Sequence, residues 1–298
     1  MSYLAIVNPA AGGGRSRKLL GPALERLRAG GIEVKVAATD APGDATKIAR
    51  EAYARGVREF IAVGGDGTSY EVVNGLFPEA SSGETPVLGF LPLGTGNSFL
   101  RDFSNRGVEY GIESLLANRR RPVDVLRLRH RDGVIHYINL LSMGFTADVA
   151  TLRARSFSGW GELGYVASIF LTLARFNRRP FPVRHEVSSE FDSRRCLFLT
   201  FNNSKFTGGT MMIAPQAETN SGLIESVRWG PIGRLGLIRN LPKLYDGTHI
   251  EHPLAERQAA SRIEFKLDAP VDVMVDGEVL TLHCEELDVL PGALHVVA

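Results

Sequence analysis

The chain has 298 residues, of which 44% are hydrophobic, and a formal net charge of +1 at pH 7. This length and apolar content exclude a disordered chain and leave room for two folded domains. The near-neutral charge gives no overall basic field, so no nucleic-acid partner is expected, although arginine-rich patches such as Arg119-Arg120-Arg121 and Arg178-Arg179 could act locally.

Apolar runs and helix-forming stretches alternate along the first third of the chain. Strands are predicted at residues 3–7, 32–37, 60–63 and 86–91. Helices are predicted from residue 15 to the glycines at 30 and 31, at 44–55, from 68 onward, shortly after 97, and at 111–118. The alternation indicates a parallel sheet with helices on both faces.

Glycine-rich turns follow three of these strands. They have the sequences NPAAGGG at 8–14, GGDGT at 64–68 and PLGTGN at 92–97. Glycine lets a backbone approach a ligand closely, and the N–H groups at a helix N-terminus favour a phosphate. Because ligands of parallel sheets bind at the carboxyl ends of the strands, we expect the three turns to form one polar rim.

The turn around Asp66 has two interpretations. A carboxylate would repel a bare phosphate, so Asp66 favours a divalent cation between the two. Thr68 and Glu71, however, have the spacing of a capping box, and strand-to-helix turns often need glycine for structural reasons alone. The turns match neither the P-loop nor the G-x-G-x-x-G fingerprint, which argues against both of those classes.

From residue 122 onward the pattern changes to short strand-like runs, which indicate an antiparallel β domain. The predicted strands are residues 123–128, 134–141, 183–187, 196–201, 223–229, 263–267, 271–275 and 287–290. The predicted domains are therefore 1–121 and 122–298, with the last strand a candidate to return to the first domain.

Two predicted helices, at 160–176 and 232–244, interrupt the β domain and combine apolar faces with arginine or lysine. One interpretation is that both are amphipathic helices packed on the sheet. The other is a membrane-facing or acyl-chain-lining surface, where basic side chains meet lipid phosphates.

The sequence Asp276-Gly277-Glu278 follows the run at 271–275 and predicts a tight hairpin. Turn chemistry alone explains Asp276 and Gly277. Glu278, two residues after Asp276, is a candidate general base if its carboxylate faces a cleft between the domains.

The two cysteines, Cys196 and Cys284, lack metal-binding or redox spacing, so we expect them to fill the core in a reducing compartment. The N-terminal residues lack the features of a signal peptide. The longest mostly apolar stretch, 164–174, is too short to span a membrane, so any membrane contact is expected to be peripheral.

Together these motifs resemble the diacylglycerol kinase catalytic-domain family, which includes bacterial lipid kinases and sphingosine and ceramide kinases, and whose fold is related to that of NAD kinases. The resemblance lies in the sequences NPAAG at 8–12, GGDGT at 64–68 with EVVNG at 71–75, PLGTGN at 92–97 and DGE at 276–278. Softer matches at 139–149 and 241–247 extend it over nearly the whole chain.

The resemblance implies an ATP site in a cleft between an N-terminal α/β domain, with a parallel sheet like that of NAD kinase, and a C-terminal antiparallel β-sandwich domain. It implies that Asp66 helps to hold Mg²⁺ and that Glu278 is the proton acceptor, with Asp276 beside it in the catalytic set. The implied nucleotide-binding residues are Asn8, Pro9, Ala10, Ala11, Gly12, Thr39, Gly65, Asp66, Gly67, Thr68, Glu71, Gly94, Thr95 and Asn97.

The function implied is transfer of the γ-phosphoryl group of ATP to a hydroxyl of a diacylglycerol- or sphingosine-like lipid, by a cytoplasmic protein peripherally associated with the membrane. Two alternatives stay open: a soluble metabolite kinase of the NAD kinase kind, and a nucleotide-binding regulator without catalysis. The acceptor lipid and the oligomeric state, a homodimer included, are not determined by the sequence.

The chain departs from the family at two places. Many bacterial relatives have Asn-Asp where this chain has Asn97-Ser98, and Asp-Asp-Gly where it has Asn220-Ser221-Gly222. In those relatives the aspartates support a structural Mg²⁺. Since loss of carboxylates removes ligands for a hard cation, we predict that this second site is absent or weak while the nucleotide-linked Mg²⁺ remains.

Overall fold

The structure is a computed structural model that describes residues 1–94, 96–156, 168, 171–174 and 178–298. Thr95 and most of the predicted helix at 160–176 lie outside the described residues. Within the described residues, no helix has the length and apolar character needed to cross a membrane.

Strands and helices alternate early in the chain, and strands dominate later. The helices are α1 Arg15–Ala29, α2 Asp44–Ala54, α3 Asp66–Leu76, α4 Val108–Leu116, α5 Phe145–Ser156, α6 Arg234–Asn240 and α7 Lys243–Asp246, with 3₁₀ turns at Ala11–Gly14, Glu79–Ser81, Phe99–Asp102 and Thr248–Glu251. The strands are β1 Ser2–Val7, β2 Glu33–Ala38, β3 Glu59–Gly64, β4 Val87–Pro92, β5 Arg120–His130, β6 Gly133–Tyr137, β7 Leu140–Gly144, β8 Arg179–Pro180, β9 Val183–His185, β10 Arg195–Cys196, β11 Phe198–Asn202, β12 Phe206–Thr207, β13 Met211–Met212, β14 Ile224–Trp229, β15 Ala255–Ala260, β16 Arg262–Phe265, β17 Val271–Val275, β18 Glu278–Leu282 and β19 Cys284–Val297.

The first four strands form a parallel sheet in the order β2-β1-β3-β4. Side chains alternate between its faces, as strand geometry requires. Phe60 and Ala62 pack in a core that contains residues of α2 and α3, whereas Ile61 and Val63 pack with residues of α1 and α4. The predicted parallel sheet with helices on both faces is confirmed.

The last strand, β19, continues this sheet into the second half of the chain. Its end pairs in parallel with β4, and the strand also pairs antiparallel with β5 and β16. One mixed sheet therefore extends from the first strands of the chain to those that follow residue 120.

A second sheet, in the order β15-β14-β11-β7-β17-β18, is antiparallel throughout. Its inner face packs on the later strands of the first sheet, with Leu126 and Ile263 on one side and Phe201 and Val273 on the other. The predicted β-sandwich is confirmed. Cys196 and Cys284 are buried in this core, as predicted.

The structure differs from the predicted elements in places, for example at residues 134–141, 232–244 and 255–260. The single strand predicted at 134–141 is wrong, because β6 ends at Tyr137 and β7 begins at Leu140. The predicted helix at 232–244 is divided into α6 and α7, with Pro242 between them. Strand β15 was not predicted, since its sequence AERQAA has little of the β-branched and aromatic content typical of strands.

Candidate active site

The three glycine-rich turns lie together at the carboxyl ends of the parallel strands, as predicted. The N–H of Gly94 donates to the carbonyl of Gly64 at 2.8 Å, and the N–H of Asn8 donates to Val63 at 3.0 Å. A Cβ atom on Gly94 would lie 2.4 Å from the Cα of Gly65, so only glycine permits this approach of the two turns.

These turns form the polar end of a cavity of about 860 Å³. Asn97 and Asp276 do not line it, and Thr95 is outside the described residues. Predicted site residues that do line it are Asn8, Pro9, Ala10, Ala11, Gly12, Thr39, Gly65, Asp66, Gly67, Thr68, Glu71, Gly94 and Glu278.

The other end of the same cavity is apolar and was not predicted residue by residue. Its side chains come from α5, β11, α6, the segment around α7 and β17, and are Phe145, Val149, Phe198, Leu237, Leu241, Leu244 and Met274. The softer sequence matches at 139–149 and 241–247 were the signal for this region. The cavity therefore joins a surface suited to phosphate with one suited to a hydrocarbon chain.

Asp66 is the first residue of α3 and lines the polar end of the cavity. Both oxygens of its carboxylate accept the N–H of Ser98, at 2.8 and 2.9 Å. Burial raises the pKa of Asp66, although the hydrogen bonds from Ser98 and Phe99 oppose the rise. A desolvated carboxylate of this kind is stabilised in its charged form by a nearby cation.

The donor set near Asp66 fits Mg²⁺. The described residues contain no cluster of three or more histidine, cysteine, aspartate or glutamate side chains suited to a metal. Mg²⁺ needs no such cluster when substrate phosphates are present, because one or two carboxylates, phosphate oxygens and water complete its coordination. Asp66 supplies a carboxylate next to the phosphate-binding turns.

Glu278 reaches the same place from the second sheet. It begins β18 directly after a tight turn in which Asp276 and Gly277 have φ angles of 47° and 93°. This turn confirms the predicted hairpin. A Cβ on Gly67 would lie 2.4 Å from Oε1 of Glu278, so the carboxylate rests against the first turn of α3. Desolvation, followed by the charge of Glu71, raises the pKa of Glu278.

Asp276 is buried and does not line the cavity. Its carboxylate accepts the N–H groups of Ile138, Asn139 and Leu140 at 2.9–3.0 Å. Burial raises the pKa of Asp276 to about 7, against the effect of these three donors. The hydrogen bonds fix the hairpin turn to the segment between β6 and β7, so Asp276 determines where Glu278 lies.

Glu71 does not form the capping box with Thr68 that the spacing allowed. The first turn of α3 has no side-chain cap, and the helix begins at Asp66 rather than at Thr68. The carboxylate of Glu71 instead accepts the N–H groups of Gly43 and Ala45, at 2.9 and 3.1 Å, at the start of α2. Glu71 therefore stabilises the neighbouring helix while it faces the cavity.

Asn97 and Ser98 hold the third turn in place. The Asn97 amide donates to the carbonyl of Gly94 at 2.9 Å. The Ser98 hydroxyl accepts the N–H of Gly209 at 2.9 Å, and it also hydrogen bonds to Asp66. Ser98 therefore connects Asp66 to the loop between β12 and β13. Ser221 lies elsewhere, and its hydroxyl contacts the backbone of its own loop.

Comparisons with known proteins agree with this arrangement. Residues 2–128 match the diacylglycerol kinase catalytic domain, and residues 139–298, more than half of the chain, match the YegS C-terminal NAD kinase beta sandwich-like domain. A diacylglycerol kinase of Bacillus subtilis is 28% identical over 297 residues, which cover 98% of this chain and 94% of that protein. A Chromohalobacter salexigens protein described as "Probable lipid kinase YegS-like" is 29% identical over 280 residues, with 93% and 87% covered.

A solved structure of a diacylglycerol kinase from Bacillus anthracis superposes with a TM-score of 0.73 at 21% identity, covering 99% of this chain and 96% of that one. At this identity the likeness shows the fold. The matched domains, with the fold described above, show that the chain belongs to the diacylglycerol kinase catalytic-domain family, with a YegS-type C-terminal domain.

Proposed function

We propose that this protein is an ATP-dependent lipid kinase that works as a peripheral protein at the cytoplasmic membrane surface. The observation that carries the proposal is that one continuous cavity has a glycine-rich polar end and an apolar end. The first 121 residues bind the nucleotide, and residues 122–298 supply most of the lipid site. The acceptor is a diacylglycerol- or sphingosine-like lipid with a free hydroxyl.

The polar turns position the triphosphate. The main chain of residues 8–12 and the start of α3 lie next to the phosphate oxygens, since glycine lets the backbone approach closely and a helix N-terminus favours an anion. Thr39, at the carboxyl end of β2, contacts the nucleotide beside them. Phosphoryl transfer depends mainly on such positioning and on charge neutralisation.

Asp66 is the residue that would hold Mg²⁺, with Ser98 fixing the orientation of its carboxylate. The ion, when bound, neutralises negative charge on the phosphates. Glu278 lies against the first turn of α3 and remains available for proton transfer.

Glu278 acts as the general base. Its carboxylate accepts the proton of the lipid hydroxyl while that oxygen bonds to the γ-phosphorus, and the bond from the γ-phosphorus to the bridging oxygen breaks to release ADP. Because the pKa of Glu278 is raised, its carboxylate is a stronger base than that of an exposed glutamate. Asp276 contributes by holding the hairpin rather than by touching the substrate.

The test is transfer of labelled γ-phosphate from ATP and Mg²⁺ to a mixed-micelle panel of diacylglycerol, sphingosine, ceramide, monoacylglycerol and phosphatidylglycerol, with NAD as the soluble acceptor. Label in an organic-phase product is expected, and it identifies the acceptor. Label on NAD alone would instead support a soluble metabolite kinase. ATP binding without any labelled product would support a regulator.

A further inference from the structure

The two short helices α6 and α7 expose large apolar side chains. Leu235 is 83% exposed and Ile238 49% exposed, and their spacing of three residues places them on one face of α6. Tyr245 on α7 is 46% exposed. Single exposed apolar residues are ordinary, but a group of this size on adjoining helices indicates an interaction surface.

The same helices carry positive charge. Arg234, Arg239 and Lys243 are exposed, and none of the three forms an ion pair with a carboxylate in the part of the chain that the structure describes. Arg234 donates one N–H to the carbonyl of Ala174 at 2.9 Å. The nearby carboxylate of Asp246 accepts two hydrogen bonds from Thr248. Exposed leucine and isoleucine beside basic side chains match the chemistry of an anionic lipid surface.

The exposed face adjoins the apolar end of the cavity. Leu237 is buried on the opposite side of α6, where it lines the cavity together with Leu241 and Leu244. Tyr245 is both exposed and part of the cavity lining. These helices thus form one wall of the cavity and, with their outer side, part of the surface around it.

We propose that α6 and α7 are the element that docks the protein on an anionic membrane. Leu235 and Ile238 enter the interface between headgroups and acyl chains, and Arg234, Arg239 and Lys243 contact lipid phosphates. A lipid then moves along the helices into the apolar end of the cavity without passing through water. This inference rests on the proposed lipid kinase function and names the surface that function uses.

The binding test is sedimentation with vesicles of phosphatidylcholine, alone or mixed with phosphatidylglycerol. The double variant Leu235→Ser with Ile238→Ser is expected to bind the mixed vesicles about tenfold more weakly or worse, because two apolar anchors are lost. The double variant Arg239→Gln with Lys243→Gln is expected to lose about fivefold for each charge on mixed vesicles and to change little on phosphatidylcholine alone.

The matched control is Val187→Ser, which removes an apolar side chain that is 76% exposed next to β9, on the other sheet. It is expected to bind vesicles like the unmodified protein. Circular dichroism of each variant checks that the fold is kept. Equal vesicle binding by the Leu235/Ile238 variant and the Val187 variant would overturn the proposal, as would a parent protein that does not bind anionic vesicles.

Activity separates this inference from the proposed function. Leu235 and Ile238 do not line the cavity, so their serine variant is expected to phosphorylate a water-soluble short-chain diacylglycerol at the parental rate and vesicle-borne diacylglycerol at least several-fold more slowly. Equal loss on both substrates would contradict a docking role. Vesicle binding that depends on these residues, without phosphorylation of any lipid, would refute the kinase proposal and leave the docking surface standing.

Discussion

Glu278 gives the sharpest prediction about a single side chain. Glu278→Gln keeps the shape of the side chain and removes its basicity, so turnover is expected to fall on the order of 10²-fold or more, while ATP binding is retained. The measurement is steady-state kinetics on the lipid identified by the panel. The control is Glu190→Gln, which removes an exposed carboxylate that does not line the cavity. Parental turnover in Glu278→Gln would remove this residue from the mechanism.

The pH dependence follows from the raised pKa of Glu278. The base works as a carboxylate, and a raised pKa means that it is protonated at a higher pH than an ordinary glutamate. We therefore expect log kcat/KM to fall with decreasing pH at a point above the usual glutamate range of about 4.3. Asp66 and Asp276 also have raised pKa values and remain in Glu278→Gln, so the decisive observation is that the part of the acidic fall due to Glu278 is missing from that variant.

Ser98 positions Asp66 and joins it to the loop at Gly209. In Ser98→Ala the buried N–H of Gly209 loses its acceptor, which is expected to lower the free energy of unfolding by roughly 1–3 kcal/mol. Urea unfolding measures this, with the exposed Ser82→Ala as control. A lower kcat with little change in the KM for lipid is also expected, and a variant equal to the parent in both respects would contradict the positioning role.

The number of bound cations tests the prediction that Ser98 and Ser221 leave the structural Mg²⁺ site absent or weak. Equilibrium dialysis with a non-hydrolysable ATP analogue is expected to find one divalent ion per chain, because serine hydroxyls replace carboxylates that would hold a hard cation. Two tightly bound ions would show that other groups maintain the structural site.

At the scale of elements, Glu71 links two helices. Its carboxylate caps the N-terminus of α2 from the side of α3. Glu71→Ala is expected to cost about 0.5–2 kcal/mol of stability, as the loss of a helix cap does. The control Glu51→Ala, on the exposed side of α2, removes only a surface ion pair with Arg55. Because the charge of Glu71 also raises the pKa of Glu278, the acidic fall in activity should move to lower pH.

The sequence predicted those strands and helices whose residue pattern lies within a single short stretch of the chain. Phe60 to Val63 alternate between two helix layers, and the sequence showed both the strand and the turn after it. The division of 134–141 into two strands was not predictable, because it accompanies hydrogen bonds from residues 138–140 to Asp276, which is far away in the sequence. Strand β15 likewise depends on pairing with β14 rather than on its own composition.

The polar end of the candidate site was predictable from the sequence, whereas its apolar end was not. Turn chemistry placed Asp66 and the glycines at one sheet edge, since every strand of a parallel sheet ends there. The apolar end of the cavity combines Phe145, Phe198 and Leu237 from three separate elements, and no local pattern distinguishes them from core residues. The hydrogen bond that Glu71 accepts at the start of α2 could also not be predicted, because it joins residues that are distant in the sequence.

At the scale of the whole molecule, β19 pairs with β4, β5 and β16 and so connects both halves of the fold. We expect cooperative unfolding in one transition, because neither half can keep its sheet intact after this strand leaves. In a Trp160→Phe background, fluorescence of the buried Trp229 reports on the second sheet, and far-UV circular dichroism reports mainly on the helices of the first half. Noncoincident urea transitions would show independent domains.

The enclosure of both thiols has a practical consequence for labelling chemistry. Burial raises the pKa of Cys196 to about 11 and that of Cys284 to about 12, so neither forms an accessible thiolate near neutral pH. A maleimide probe should therefore not react with the native chain and should react at one site in Leu235→Cys. An environment-sensitive dye at that site would report in real time whether α6 enters a bilayer, without prior removal of the natural cysteines.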